Sequence, residues 1–236
     1  MAIVAGSRWA RWVGLAGRGA ARAVARPCDP ASSAVAPDAP LFDVPFAVVD
    51  VETTGGSPST ASLTEIAAAL YRGGECRGTF QTLVDPGCHV PPLISSLTGI
   101  TDDMVGGAPT VPGVLPSFLE FVHGSVLVGH NVSFDLSFLD AALGRAGRPP
   151  LDQTTIDTLA LARHLMRPEV PNCRLHTLAV CLGLEHRPSH RALDDVRATA
   201  DLLHRLIERA AGYDVFVLAD LVDLMTRPTQ RVARVS

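Results

Sequence analysis

Residues 48–56 read VVDVETTGG. The apolar run reads as a buried strand, yet it carries Asp50 and Glu52 before breaking into a small-residue turn. Side chains alternate faces along a strand, so Asp50 and Glu52 share one side while Val49 and Val51 take the other. Two carboxylates held together in partly dry surroundings repel each other and lose hydration. Residues 27–71 contain no Lys or Arg that could offset them locally. Two readings follow: a strand end where both acids reach water, or a pair neutralised by a bound divalent cation.

Composition narrows the field. With 236 residues and 47% hydrophobic content, the chain is long enough for one sizeable core. All 20 basic residues are Arg, which reads as a coding bias rather than a functional sign. A net charge of −4 gives no nucleic-acid footprint over the whole chain, so any such binding must be local. The cysteines (28, 76, 88, 173 and 181) are odd in number and show no CxxC spacing, which suggests reduced thiols in a cytoplasmic protein. No apolar stretch approaches the ~20 residues of a membrane span.

Along the chain, residues 1–26 hold Arg8, Arg11, Arg18, Arg22 and Arg26 without an acid, and residues 27–44 have a Pro/Ala linker composition. Residues 1–44 are therefore expected to be a disordered arm and linker, with a folded domain over 45–211. Strands are expected at 46–52, 63–72 and 79–85, with Gly73-Gly74 as a hairpin turn. Helices follow at 93–99 and 114–124, then a strand at 125–131. A helix at 133–147 is expected to be capped by Ser133 and closed by Gly147. Residues 154–166 begin extended and turn helical; 174–184 and 190–210 read as amphipathic helices. The order predicts an α/β fold: a mixed sheet, antiparallel in its first three strands and parallel after, with helices on both faces.

Residues 212–236 form a C-terminal helix and basic tail. The apolar residues Val215, Phe216, Leu218, Ala219, Val222 and Met225 recur at three- and four-residue spacing. Either this stripe covers the domain's own core, the favoured reading, or it docks on a DNA polymerase or other replication partner. The tail also stands out by charge, because residues 45–211 alone hold 18 acids against 12 Arg.

Two further clusters bear on the opening pair. GHNVSFD (129–135) puts His130 and Asn131 at a strand end and Asp135 in the first turn of the next helix, where open α/β sheets gather ligands. SHRALDD (189–195) puts His190 and Asp195 near the start of the last long helix. In this order, the segments 48–56, 129–135 and 190–195 resemble the three motifs of the DEDDh 3′→5′ exonucleases. That family lies in the ribonuclease H-like superfamily and includes the DnaQ-like proofreading epsilon subunit of bacterial DNA polymerase III. The resemblance spans about 45–211. It implies that Asp50, Glu52, Asp135 and Asp195 ligate two metal ions, Mg²⁺ or Mn²⁺, and that His190 is the general base. It further implies substrate contacts from Thr53, Thr54, Gly55, Leu97 and Thr98. His130, Asn131 and Phe134 are implied to be substrate-binding residues as well, organising the site rather than reacting, and Asp157 would be structural.

The residue types suit the chemistry. Phosphodiester hydrolysis needs an activated water and stabilisation of the leaving oxygen, which two hard divalent ions supply. Such ions take oxygen ligands, so four carboxylates without Cys form an apt set. Imidazole titrates near neutrality and can take the water's proton. The expected substrate is a single-stranded 3′ end, DNA over RNA, cut to nucleoside 5′-monophosphates in proofreading or repair. Alternatives are RNA 3′-end trimming of the ribonuclease T or oligoribonuclease kind, and a non-catalytic, polymerase-tethered binding module.

Overall fold

The computed structural model describes residues 34–167 and 169–227. Five strands, β1 (Phe46–Thr53), β2 (Leu63–Arg72), β3 (Glu75–Leu83), β4 (Val126–Gly129) and β5 (Thr155–Asp157), form one sheet in the order β3-β2-β1-β4-β5. The first three are antiparallel neighbours; β4 runs parallel to β1, and β5 parallel to β4. Gly73 and Gly74 both take positive φ, 62° and 79°, the backbone hand that a two-residue hairpin requires. Pairing resumes at once with Arg72 opposite Glu75, so β3 starts at Glu75 rather than at the expected Thr79.

Strand alternation sorts the core into two layers. Phe46 and Val48 face one cluster, with Val126, Val128 and Ile156. That layer is covered by α5 (Thr158–Leu165), α6 (Leu175–Cys181), α7 (Ala192–Ala210) and α8 (Leu218–Thr226). Val49 and Val51 face the other, packed under α3 (Val111–Val122) and α4 (Ser133–Arg145) by Leu115, Phe118, Phe138 and Leu139. Helices α1 (Pro92–Thr98) and α2 (Asp102–Val105) bridge β3 to α3; α2 is not expected from the sequence. By parity, Asp50 and Glu52 continue the Val48 face and look toward the start of α7.

Three expectations need correction. Ser133 does not cap α4: the cap position is Val132, and no side chain closes it. His190 does not begin α7, which starts at Ala192. The disordered linker does not extend to residue 44, because Leu41 and Val44 are buried in the core. There the backbone pairs across the fold: Leu41 donates to the Phe216 carbonyl (2.9 Å), Leu218 to Ala39 (3.0 Å) and Gly73 to Phe42 (3.0 Å). Composition cannot reveal a partner so distant in sequence. The arm over 1–33 and the basic end over 228–236 lie outside the described residues.

Helix α8 lies against the domain's own core through Leu218, Leu221 and Leu224, with Val222 and Met225 partly buried. Phe216 and Ala219, counted in the expected stripe, face outward instead. Among the described residues, no helix is long and apolar enough to cross a membrane, and the cysteines are free.

Candidate active site

Carboxylate oxygens of Asp50, Glu52 and Asp195 lie within 4.8 Å of one another. β1 supplies the first two, and the opening turn of α7 supplies the third. Asp195 is fixed by the bend before the helix, where its Oδ1 accepts the Ser189 N–H (2.8 Å) and the His190 N–H (3.2 Å). Asp135, 4% exposed, joins from the first turn of α4. The β1–β4 pairing ends at Val48 opposite Val128, and beyond it the Val51 N–H donates to Asp135 Oδ1 (3.0 Å). That amide sits between the two strand acids, so Asp135 is fastened beside them. The neighbouring Asp194 is occupied elsewhere, by the Ser189 hydroxyl and Arg197.

This crowding has an electrostatic cost. Burial, then the charges of Asp135, Asp195 and Glu52, raise the Asp50 carboxyl well above its usual range. Burial, followed by Asp195 and Glu65, pushes Glu52 up to about 8. Asp135 rises to about 7, mainly through burial and against the Val51 N–H that favours its anion; burial raises Asp195 too. Four carboxylates so placed must take up protons or share a cation. An all-oxygen set at this separation suits a hard divalent ion, so the residues present fit a metal site.

Sequence reasoning missed Glu65. It stands opposite Glu52 in the β1–β2 register, and it is fully buried. Arg191 grips it twice, Nε to Oε2 at 3.1 Å and an Nη to Oε1 at 3.0 Å, while Gln81 (2.8 Å) and the Ala192 N–H (3.2 Å) complete the set. Those contacts hold the Glu65 carboxyl below its usual range despite burial. They also moor the residue after His190 and the first residue of α7, and with them the loop that carries His190 and Asp195. His190 is exposed at the mouth of the site with φ +59°, a backbone region that side chains seldom enter. The only sequence signal for Glu65 is an acid inside the apolar run LTEIAAAL.

The other expected residues divide by role. Thr53 donates its hydroxyl to the Gly55 carbonyl (2.7 Å), and Thr54 Oγ accepts the Ser62 N–H (2.9 Å), so both shape the turn after β1. A Cβ on Gly55 would press on Ala61 at 3.3 Å. Leu97 is 52% exposed on α1, free to meet a ligand. Thr98 is buried; its hydroxyl donates to the Ile94 carbonyl and accepts the Ile100 N–H, closing its own helix end. Phe134 packs on Phe138 with ring centres 5.1 Å apart. His130 is pinned at both ring nitrogens, to Thr158 (2.9 Å) and the Cys173 carbonyl (2.9 Å). A carbonyl only accepts, so Nε2 carries the proton, and burial keeps the ring from protonating further. Asp157 caps α5 by accepting the Leu159 N–H, and it accepts the Asn131 N–H too, both at 2.9 Å. Asn131 thereby holds φ +72° at the end of β4.

A mixed sheet with clustered acids at its strand ends and a histidine before the closing helix defines a DnaQ-like exonuclease of the ribonuclease H-like superfamily. Residues 47–203 match the RNase_T family, described as Exonuclease, and the chain belongs to that family. A Mycobacterium tuberculosis (strain CDC 1551 / Oshkosh) protein carrying the name bifunctional exonuclease/endonuclease is 46% identical over 80% of this chain and 30% of its own length. A PolC-type DNA polymerase III of Clostridium perfringens (strain 13 / Type A) is 43% identical over 69% of this chain and 11% of its own. The chain thus spans less than a third of these relatives. Exonuclease X in complex with 5′ overhanging duplex DNA superposes with a TM-score of 0.61 at 26% identity, covering 76% of this chain and 99% of that one. E. coli exonuclease I in complex with a dT13 oligonucleotide shares the fold at a TM-score of 0.65 and 22% identity, over 73% of this chain and 43% of its own.

Proposed function

We propose that this domain is a 3′→5′ exonuclease that hydrolyses single-stranded DNA ends to nucleoside 5′-monophosphates, using two Mg²⁺ or Mn²⁺ ions. The observation that carries this reading is the convergence of Asp50, Glu52 and Asp195 within 4.8 Å, with Asp135 fastened alongside by the Val51 amide. When bound, the ions supply charge neutralisation and water activation. The chain's own residues do the rest. The four carboxylates would hold the ions, and His190, exposed at the mouth, accepts a proton from the attacking water. The Thr53–Gly55 turn brings backbone close to the terminal nucleotide, and Leu97 offers an apolar surface to its base. DNA rather than RNA is supported by the DNA named with exonuclease X and by the polymerase relatives. The polymerase named in those relatives also supports association with a DNA polymerase, and the role proposed with it is proofreading or repair.

The test is shortening of a labelled single strand from its 3′ end, with and without EDTA, on matched DNA and RNA. Metal-dependent release of 5′-mononucleotides from DNA is expected. Endonucleolytic products, or activity that persists in EDTA, would overturn the reading.

A further inference from the structure

Next to the acidic cluster lies a cavity of opposite character. About 540 Å³ in volume, it is lined partly by apolar side chains and partly by His130, Asn131, Arg163, Arg167, Asn172 and Arg174. Its size falls within the range of ligand sites. Arg163, Arg167 and Arg174 are exposed, and among the described residues none pairs with a carboxylate; Arg72, Arg145, Arg148 and Arg187 are likewise without one, but none of these four lines the cavity. Three guanidinium groups converging without an acid repel one another, in a domain that is acidic as a whole. An anion would relieve that repulsion.

Sheet register fixes where the cavity sits. Val48 of β1 pairs with Val128 of β4, and Gly129 of β4 with Asp157 of β5. His130 and Asp50 each lie two residues beyond the last β1–β4 pair, so both belong to the carboxyl ends of adjacent strands. Asn131, which donates its N–H to Asp157, lines the cavity just past the end of β4. The bond between His130 and the Cys173 carbonyl ties the 172–174 segment to the end of β4, so the cavity is built on the carboxyl end of the sheet, as the acids of β1 are.

Resting on the exonuclease reading above, we propose that this cavity takes backbone phosphates of the substrate strand upstream of the bond being cut. A strand whose 3′ end enters the acidic cluster must continue beyond it, and the neighbouring cavity offers the positive charge that the cluster lacks. Arg163, Arg167 and Arg174 bind the strand by charge and set the length of single strand required. They take no part in bond cleavage.

The experiment uses R163Q, R167Q, R174Q and the triple variant, each checked by thermal melting. Two substrates are compared: a single-stranded oligonucleotide, and a nucleoside 5′-monophosphate p-nitrophenyl ester, which has no upstream phosphates. The triple variant should raise KM about tenfold on the oligonucleotide and far less on the ester, with kcat on the strand little moved. The slope of log KM against log salt should become shallower by about 2, from roughly 0.7 for each single-strand phosphate that the three arginines neutralise. Equal impairment on both substrates, or an unaltered oligonucleotide KM and salt slope, would overturn the proposal. Fluorescence anisotropy of a labelled oligonucleotide in EDTA separates this proposal from the exonuclease reading. If the parent cleaves nothing in Mg²⁺ or Mn²⁺, that reading fails, yet the cavity is still decided. Weaker, less salt-sensitive binding by the triple variant supports it, and equal binding sinks it.

Discussion

At Asp50 the demands of folding and chemistry oppose each other. Its carboxyl is crowded by Asp135, Asp195 and Glu52, so the site is strained whenever it holds no cation. Asp50→Asn should end cleavage and, in EDTA, raise Tm. Relief of about 1 kcal/mol corresponds to roughly 2–4 °C for a domain of this size, readable by thermal melting. A lower Tm would mean that Asp50 stabilises the metal-free fold. His190→Gln should lower kcat by roughly 10²–10⁴-fold and flatten the acid limb of the pH–rate profile; an intact acid limb would assign the proton to another group. Glu65→Gln keeps the shape but removes the charge that Arg191 grips. It should lower stability by about 1–3 kcal/mol and reduce kcat with the metal carboxylates in place, checked by denaturant midpoint and turnover. The proposed site residues are legible because their motifs are local strings. Glu65 is not, since its partner Arg191 lies 126 positions away and a lone acid in a strand carries no label. Ser133 misleads for the opposite reason: the residue type suits a cap, but Val132 takes that position.

Elements are legible wherever periodicity is long. β1, β2 and α7 fall close to their expected bounds, and the Gly73-Gly74 turn fixes the hairpin. Pairing between distant segments is what the sequence hides. The stretch before β1 reads as linker because Pro and Ala dominate it, yet it pairs with the backbone leading into α8. The C-terminal helix then holds Leu218, Leu221 and Leu224 in the core, and the Asp157 N–H meets Met225 Sδ at 3.0 Å beneath the strand ends. Burying three leucines stabilises by about 1.5–3 kcal/mol each, comparable with the roughly 5–15 kcal/mol stability of a typical domain. Truncation at Gly212 should therefore give an aggregating, inactive protein, tested by size-exclusion chromatography and melting. A soluble truncation of parental Tm would show α8 to be dispensable to the fold.

For the whole molecule, pH and metal should act as one variable. An acid whose folded pKa lies above its unfolded value favours the protonated fold, so its stabilisation is complete below about pH 4.5 and disappears as pH rises through about 7 for Asp135 and about 8 for Glu52. In EDTA, Tm should fall between about pH 5.5 and 8.5. Added Mg²⁺ or Mn²⁺ should restore it at the alkaline end and matter little at the acid end, because a cation binds the deprotonated set. A metal effect of equal size at both ends would contradict the assignment of these ligands. The sheet also sets the order in which the centre can come into being. Asp50 and Glu52 come from its first strand, Asp135 from α4, and Asp195 from α7, which follows all five strands. A ribosome releases these parts in that sequence, so an emerging chain carries most of its acidic ligands well before α7 can dock through Glu65 and Arg191. In the proposed mechanism the set of acids is complete only once α7 docks, after every strand of the sheet has emerged.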